Sequence, residues 1–348
     1  MECQTNTTTR ELWTNSRSSC FLRCQREHEF KYVRGYSHVS ERLSLVFGTL
    51  VHIGLEAWWK ASRLTRLESS IKAFRAAVPT SFDPYEAAKA EAMLIGYDAR
   101  WGGEDFETLA VECEFRVPLA EPAFGTRSDH FDRAGKLDAV VRHLPTGRVV
   151  GVEHKTSGLD VEAGSSYWQT LRIDGQSSTY FDGALSLGYE LHSMIYDMLA
   201  KPRLKPYKAT PESERKYTKE KRDKKTGMVT EPSRLYATQR EADETVEEYF
   251  ERVAKAIAED PAGYYARAEI VRLEHEMTEH RMEQYRLAEF AAEAKAAHFS
   301  PRNPGACRRY GSLCDFLPVC AGEASLDDER LYVLKTNKHS ELSQEVQQ

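Results

Sequence analysis

The stretch GKLDAVVRHLPTGRVVGVEHK, residues 135–155, decides the fold that the rest of the chain surrounds. Two short apolar runs flank the turn sequence LPTG, a pattern typical of a β-hairpin. Side chains alternate between the two faces of a strand, so Glu153 and Lys155 share one face and His154 points to the other. If the turn centres in the middle of LPTG, Asp138 pairs with Glu153 and lies beside it.

Two neighbouring carboxylates repel each other, and a divalent cation relieves that repulsion. Oxygen-rich acidic sites suit Mg²⁺ or Mn²⁺, so Asp138 and Glu153 predict a metal site. Lys155 is then placed to orient or deprotonate a water, or to stabilise charge on a phosphate. A hairpin loop with an odd number of residues would instead turn Asp138 to the face of His154. The other alternative is a set of solvated charges at an exposed strand end.

The flanking sequence predicts helices at about 44–61, 84–100, 174–199, 240–259 and 261–295, and a strand at 108–118. Gln176 and Tyr180 are four residues apart, so they share one helical face. Their polar tips are suited to position a phosphate or the Lys155 ammonium, although helix capping and core packing are the alternative. His52, in the first helix, is either a core residue or an imidazole ligand of a metal. Glu114 is a weaker candidate for contact with metal or DNA.

The length of 348 residues allows one large domain or two ordinary ones, and a composition of 41% hydrophobic residues can fill a core. The sequence contains neither a signal-peptide pattern nor an apolar run of membrane-spanning length, which predicts a cytoplasmic protein without a membrane partner. Net charge is −6, yet residues 201–225 carry eleven Lys or Arg against four Asp or Glu. This basic stretch is either a solvated insertion or a strip that tracks phosphates. No GxxxxGK[ST] phosphate loop is present, so the chain has no ATP-driven motor of its own.

Three of the seven cysteines lie close together near the C-terminus, at Cys307, Cys314 and Cys320. Without a secretion signal they are not expected to form structural disulfides. Thiolates in a set of four suit zinc or an iron–sulfur cluster. No CxxC pair is present, which argues against a zinc ribbon, and unligated reduced thiols are the remaining alternative.

Together these motifs resemble the PD-(D/E)XK nucleases, in the RecB-like branch that includes AddB-type nucleases, the CRISPR adaptation nucleases and many phage exonucleases. The resemblance runs from about Ser16 to Glu323: GKLDAVV matches the Asp motif, VVGVEHKTSG the Glu-x-Lys motif and DGQSSTY the helical Gln-x-x-x-Tyr motif. FGTLVHIGLEAWW resembles the early helix that bears a metal-binding His. The resemblance implies Mg²⁺ or Mn²⁺ held by His52, Asp138 and Glu153, and a catalytic set of Asp138, Glu153, Lys155, Gln176 and Tyr180.

The resemblance extends to the cysteines. RNPGACRRYGSLCDFLPVC is similar to the C-terminal segment of these nucleases, in which three cysteines join one N-terminal cysteine around a [4Fe-4S] cluster. The spacing here is wider than the usual CxxC start. The segment CQREHEFKY points to Cys24 as the fourth ligand, with Cys20, one helical turn away, as the rival. Such a cluster would tie the two ends of the chain together, so that its binding energy contributes to folding.

The resemblance therefore implies a mixed α/β fold of the restriction-endonuclease type, with a central mixed sheet flanked by helices and a helical region stapled by the cluster. We expect a flexible segment at 1–15, a single nuclease domain over 16–323 and a polar tail at 324–348. Within the domain, 200–235 would form a basic insertion or arm.

The implied activity is that of a metal-dependent DNA nuclease, and most relatives are exonucleases on single strands or free ends in recombination, repair or phage DNA metabolism. The alternative is a non-catalytic iron–sulfur scaffold that binds DNA ends, or a partner subunit of a helicase–nuclease complex. The complete set of Asp138, Glu153 and Lys155 favours the enzyme. A group of aromatic side chains is suited to stacking on bases, with core packing as the alternative: Trp58, Trp59, Tyr167 and Trp168.

Overall fold

The computed structural model describes residues 10–40, 43–158, 166–309 and 312–343. The helices are α1 Asn15–Arg23, α2 Gln25–His28, α3 Leu43–Lys60, α4 Arg66–Ala77, α5 Pro84–Trp101, α6 Ser166–Leu171, α7 Gly175–Ser186, α8 Val246–Glu259, α9 Pro261–Tyr264, α10 Glu274–Ala296 and α11 Leu317–Ala321. The strands are β1 Glu11–Trp13, β2 Tyr36–His38, β3 Phe106–Ala120, β4 Arg127–His143, β5 Arg148–Ser157, β6 Ser193–Ala200, β7 Lys221–Arg222, β8 Val229–Glu231, β9 Tyr265–Ile270, β10 Arg308–Arg309, β11 Ser312–Leu313 and β12 Tyr332–Leu334. None of the helices within these ranges is long and apolar enough to cross a membrane.

A mixed sheet of six strands forms the centre of the fold, in the order β1-β4-β5-β6-β9 with β3 also paired to β4. The pairs β3–β4, β4–β5 and β6–β9 are antiparallel, whereas β1–β4 and β5–β6 are parallel. One apolar core lies between the sheet and helices α3, α5 and α8, and a second lies between the sheet and α6 and α7. The expected mixed sheet flanked by helices is therefore confirmed.

The hairpin closes in the predicted register. Ala139 lies opposite Val152 and His143 opposite Arg148, and four residues, 144–147, connect the strands. Gly147 has a φ of +69°, which a glycine adopts without steric cost. Val152 packs in the core beneath α3, so strand alternation turns residues 151, 153 and 155 toward the face that α7 covers.

Two of the predicted helices are strands over part of their length. The helix predicted at 174–199 ends at Ser186, and Ser193–Ala200 forms β6; the one predicted at 261–295 gives β9 before α10 begins at Glu274. Strand β6 lies between β5 and β9 with almost every side chain buried, so it lacks the alternation that marks a half-exposed strand. Its Met, Leu and Ala residues also have good helix propensity in isolation.

The ends of the chain are more ordered than their composition suggested. Residues 11–13, within the segment expected to be flexible, form β1 and pair with β4. In the segment expected to be a polar tail, β12 pairs with β2, and Leu342 is buried against Leu12 and Ala134. The first and last described segments of the chain therefore pack against each other through Leu12 and Leu342.

Helix α7 approaches the sheet closely at Gly183, where a Cβ atom would lie 2.2 Å from a ring carbon of Phe115 on β3. The Phe115 ring is buried and cannot yield easily. We expect Gly183→Ala to lower the free energy of unfolding by about 1–2 kcal/mol, because overpacking outweighs the gain in helix propensity. Urea unfolding measures this change. Gly103, with nothing within 4 Å of its Cβ position, is the control, and Gly103→Ala should change stability by less than about 0.5 kcal/mol. Equal effects of the two substitutions would contradict this account of the packing.

Candidate active site

The polar side chains singled out in the sequence converge on a cleft of about 680 Å³ at the carboxyl end of β5. We call this space the cleft. Strands β4 and β5, helix α3 and helix α7 each contribute to its wall. It is lined by all six residues predicted for the site: His52, Asp138, Glu153, Lys155, Gln176 and Tyr180.

Glu153 is the central acidic residue of the cleft and is only 2% exposed. Its Oε1 pairs with the Lys155 ammonium and accepts a hydrogen bond from Gln176 Nε2 at 2.8 Å. Its Oε2 is buried without a hydrogen-bond partner among the described residues. Burial, followed by repulsion from Asp138, raises the pKa of Glu153 to about 7. One oxygen of this carboxylate therefore lacks a counter-charge.

Asp138 is held from two sides. Its Oδ2 accepts the backbone N–H of His154 at 2.7 Å, and its Oδ1 lies 3.6 Å from His52 Nδ1. Burial acts to raise the pKa of Asp138, but the attraction of His52 and its hydrogen bond outweigh burial and hold that pKa well below its usual range. Burial likewise acts to lower the pKa of His52, whereas Asp138 raises it, and the net shift is upward.

Helix α7 presents Gln176 and Tyr180 because its first turn is fixed by a cap. The Asp174 side chain accepts the backbone N–H of Gln176 at 2.8 Å. Gln176 Nε2 then donates to the Tyr180 hydroxyl oxygen at 2.7 Å in addition to Glu153. Because that oxygen accepts, the Tyr180 O–H remains available as a donor in the cleft. Burial raises the pKa of Tyr180 well above its ordinary value, so the hydroxyl keeps its proton at neutral pH.

The donor atoms of the cleft fit a hard divalent cation. Within the described ranges, no group of three or more His, Cys, Asp and Glu side chains is already arranged as a set of metal ligands. However, Glu153 Oε2 is buried and unpartnered, and Asp138 lies close enough to raise the Glu153 pKa. Two carboxylates and one imidazole are ligands that Mg²⁺ or Mn²⁺ accepts. A cation there would satisfy the orphaned oxygen and relieve the repulsion.

Three further acidic residues line the cleft and were missed in the sequence: Glu56, Glu112 and Glu341. Glu56 follows His52 by four residues on α3, so helical spacing alone would have found it. Glu112 has a φ of 54° within β3, which breaks ordinary strand geometry. Its carboxylate pairs with Lys136 on β4. Glu114, named as a weaker candidate, lies outside the lining of the cleft, and its carboxylate accepts the backbone N–H of Ser343 at 2.8 Å.

The four cysteines predicted as cluster ligands line a second cavity of about 650 Å³: Cys24, Cys307, Cys314 and Cys320. Cys20 is buried and does not line this cavity. The chain ends are joined here by hydrogen bonds from Arg26 N to the Pro301 carbonyl at 3.1 Å and from Asn303 Nδ2 to the Arg23 carbonyl at 2.8 Å. Burial raises the pKa of the Cys314 thiol to about 11. Within the described ranges these thiols share one cavity, but they do not form a group already arranged to hold a metal ion.

The tryptophans of α3 lie in the core. Trp58 and Trp59 are fully buried, and Trp59 Nε1 donates to His154 Nε2 at 2.8 Å. They therefore pack the fold rather than stack on a ligand. Trp168 lies partly buried against the core beneath α7, and the Tyr167 side chain lies outside the described part of the structure.

The family model of the PD-(D/E)XK nuclease superfamily matches residues 12–321. The chain belongs to this superfamily, and the matched range includes all six predicted residues of the cleft and all four cysteines of the second cavity. No curated protein matches the sequence.

Two solved structures are similar to this chain. A candidate exonuclease from Eubacterium rectale has 11% sequence identity and a TM-score of 0.43, with 94% of each chain covered. SSO0001 has 13% identity and a TM-score of 0.20, with 65% of this chain and 78% of the other covered. At these identities and TM-scores the assignment to the superfamily rests on the family model.

Helix α10 supports α7 from outside through His280, whose Nε2 lies 3.0 Å from Thr179 Oγ1 in a buried contact. Burial, aided by repulsion from Arg133, lowers the pKa of His280 to about 4. In the unfolded chain the imidazole of His280 has a pKa near 6.5. The stability that the neutral, buried His280 contributes is therefore complete above that pH and declines as pH falls toward 4.

We expect His280 to account for about 2–3 kcal/mol of the loss in unfolding free energy between pH 6.5 and 4. In His280→Gln the decline over this window should be shallower by that amount, as measured by urea unfolding across pH. His275 is exposed on the same helix, and His275→Gln is the matched control. An unchanged pH profile in His280→Gln would show that His280 titrates normally in the folded protein.

Proposed function

We propose that this member of the superfamily is a metal-dependent deoxyribonuclease that acts as an exonuclease on single strands or DNA ends. The observation that carries the proposal is the environment of Glu153. This residue is buried beside Asp138, and one of its carboxylate oxygens is unpartnered among the described residues while the other pairs with Lys155. A buried carboxylate in this state needs a cation. Membership of a nuclease superfamily supports phosphodiester hydrolysis as the reaction.

Mg²⁺ or Mn²⁺ would be held by His52, Asp138 and Glu153. When bound, such an ion supplies an activated water and neutralises charge on the phosphate. Glu56 and Glu112 also line the cleft, but each is paired with a lysine, Lys60 and Lys136 respectively, so the uncompensated acidic charge is that of Asp138 and Glu153.

The remaining side chains of the cleft position charge and protons. The Lys155 ammonium, whose pKa is raised by Glu153 and Asp138 in spite of burial, stays protonated while paired. It therefore stabilises negative charge on a phosphate in preference to accepting a proton from water. Gln176 uses both amide hydrogens, one on Glu153 and one on Tyr180, and so fixes the direction of the Glu153 carboxylate. The Tyr180 O–H is free to donate to a phosphate oxygen.

The boundaries of the cleft support action on a single strand. Residues from both chain termini line it, with Asn15 and Ser16 from the N-terminal region and Ser340 and Glu341 from the C-terminal segment. These segments limit access to the carboxylates from one side. The resemblance to RecB-like exonucleases agrees with this mode of action. The alternative, an end-binding scaffold or a helicase partner without chemistry of its own, is less well supported because the polar set of the cleft is complete.

We also propose a [4Fe-4S] cluster held by Cys24, Cys307, Cys314 and Cys320, because these four thiols line one cavity. The cavity lies where the N-terminal helices meet the C-terminal segment. The cluster would act as a structural link between the two ends of the nuclease domain.

Replacement of the central residues should abolish cleavage without unfolding the protein. We expect Glu153→Gln and Lys155→Met each to reduce cleavage of end-labelled single-stranded DNA by at least about a hundredfold, because each removes charge stabilisation in the transition state. Mn²⁺ should raise the melting temperature of the wild-type protein and raise that of Glu153→Gln less. Glu107→Gln, exposed on strand β3 and outside the lining of the cleft, is the matched control and should cleave normally. Normal cleavage by Glu153→Gln would contradict the site assignment.

The choice of the fourth cluster ligand can be tested separately. Protein purified without oxygen should be brown, with about four iron atoms per chain if the cluster is of the [4Fe-4S] type. Cys24→Ser should lose most of this iron and the visible absorbance, whereas Cys20→Ser should keep both. Cys113→Ser, on β3, is the control for general effects of removing a thiol. Iron loss in Cys20→Ser but not in Cys24→Ser would exchange the two assignments, and stoichiometric zinc in a colourless protein would refute the cluster.

A further inference from the structure

Between β6 and α8 the chain forms an exposed two-stranded ribbon, residues 215–236, which we call the basic ribbon. Tyr217 bridges to Leu235, Lys221 pairs with Glu231, and Arg222 pairs with Val229 in antiparallel register. The ribbon reverses at Asp223, whose side chain accepts the backbone N–H groups of Lys225 and Thr226 at 2.9 and 2.7 Å. A ribbon of this length extends about 20 Å from its base.

The charge of the basic ribbon is opposite to that of the rest of the molecule. It contains eight Lys or Arg against three Asp or Glu, in a chain whose net charge is −6. Every residue from 216 to 234 is exposed. Two of the cations pair with acids of the ribbon itself, Lys221 with Glu231 and Arg222 with Glu220. Four lysines form no ion pair within the described ranges: Lys216, Lys219, Lys224 and Lys225.

The basic ribbon also exposes apolar and aromatic groups that a merely solvated loop does not need. Met228, next to the turn, is 71% exposed, and Tyr217 and Tyr236 are each about half exposed near the base. Cationic groups interleaved with aromatic and apolar side chains are typical of surfaces that bind nucleic acid. Among the described residues, none from 216 to 234 belongs to an apolar core, so folding alone does not explain the sequence of the ribbon.

The base of the ribbon is anchored, and fourteen residues, 201–214, separate it from the carboxyl end of β6, which lies beside the end of β5 that carries the cleft. Ala200, the last residue of β6, pairs with Ser157 of β5, and Lys201 N donates to the Ser157 carbonyl at 2.7 Å. Lys155 lies two residues before Ser157. Farther along, Arg215 donates to the Glu241 carbonyl at 2.9 Å, and Gln239 bonds to the backbone of Lys216 and Glu214. The chain therefore leaves the sheet at the end that carries the cleft before it forms the ribbon, and the base of the ribbon is held by residues 239–241.

We propose that the basic ribbon binds the phosphate backbone of the double-stranded part of a DNA substrate whose single-stranded end enters the cleft. A two-stranded β-ribbon fits the major groove of B-DNA, which is about 12 Å wide. Lysines at its turn are positioned to contact phosphates on either side of the groove. The proposal rests on the proposed nuclease function for the identity of the substrate, but it assigns a separate surface that makes no contact with the reacting groups.

The test is the salt dependence of duplex binding, measured with a chelator present so that no cleavage occurs. The ribbon variant carries Lys→Gln at positions 216, 219, 224 and 225. Removal of one lysine–phosphate interaction decreases the magnitude of the negative slope of log affinity against log salt by about 0.9. We expect the magnitude of this negative slope to decrease by about two to four in the ribbon variant. The affinity near physiological salt should decrease about tenfold or more. Fluorescence anisotropy of a labelled duplex with a single-stranded extension measures both quantities.

A control variant with the same change in net charge separates the effect of direct ribbon–DNA contact from the effect of net charge. It carries four substitutions to Gln at exposed cations outside the ribbon: Lys72, Arg127, Arg148 and Arg286. The control should bind duplex DNA much as the wild type does. Equal reductions in the two variants, or wild-type duplex binding by the ribbon variant, would overturn the proposal; in the latter case an acidic protein becomes the better candidate partner. A reduction confined to fully single-stranded DNA would overturn the duplex assignment.

Failure of this proposal can be distinguished from failure of the proposed function. If the wild-type protein binds duplex DNA through the ribbon but cleaves no DNA with Mg²⁺ or Mn²⁺, the ribbon assignment stands and the nuclease assignment fails. If the protein cleaves DNA and the ribbon variant keeps the wild-type salt slope, the ribbon assignment fails alone. The ribbon variant should remain folded because its substituted side chains are exposed and lack ion pairs in the described structure.

Discussion

The repulsion between two buried carboxylates, Asp138 and Glu153, is the constraint on which the arrangement of the cleft depends. Neighbouring like charges in a low-dielectric interior are destabilising unless other groups compensate for them. Here the compensation comes from different elements of the fold: His52 from α3, Lys155 from β5 and Gln176 from α7. These partners leave Glu153 Oε2 without a hydrogen bond among the described residues. Asp138 and Glu153 thus retain an unfavourable interaction, which a cation at the proposed metal site would relieve.

The opposite face of β5 explains how one of the two carboxylates, Asp138, is held in place. His154, between the two cleft residues of this strand, is buried and accepts a hydrogen bond from Trp59 on α3, while its Nδ1 lies 3.1 Å from Asp197 on β6. Asp197 in turn accepts hydrogen bonds from Tyr97 and Arg267. This buried network joins α3, α5, β5, β6 and β9. The backbone N–H of His154 donates to Asp138, so the network that fixes His154 also fixes one of the acidic groups.

The hairpin and its acidic pair were predictable because strand alternation and turn length are local properties. An even loop of four residues sufficed to bring position 138 beside 153. Strand β6 was not predictable in the same way, since it is an interior strand whose two faces are buried by the two apolar cores on either side of the sheet. Glu112 was missed for a related reason, because its positive φ is imposed by tertiary structure and alternation assumes a regular strand. The cavity that contains Cys24 and excludes Cys20 likewise depends on how the N-terminal helices meet the C-terminal segment.

That meeting of the chain ends connects the cysteine cavity to the cleft. Bringing together residues separated by most of the chain costs loop-closure entropy, which grows only slowly with length but must be offset by contacts. Backbone hydrogen bonds such as Arg26 N to Pro301 O supply part of that compensation, and a cluster on four thiols would supply more, because its binding energy is available only to the folded arrangement. After the cysteines the same C-terminal segment continues past β12 to Ser340 and Glu341, which line the cleft. In the proposed arrangement, loss of the cluster therefore removes the link between the two chain ends and also loosens the C-terminal segment that lines the cleft. The access of DNA to Glu153 then depends on a group far from it in sequence.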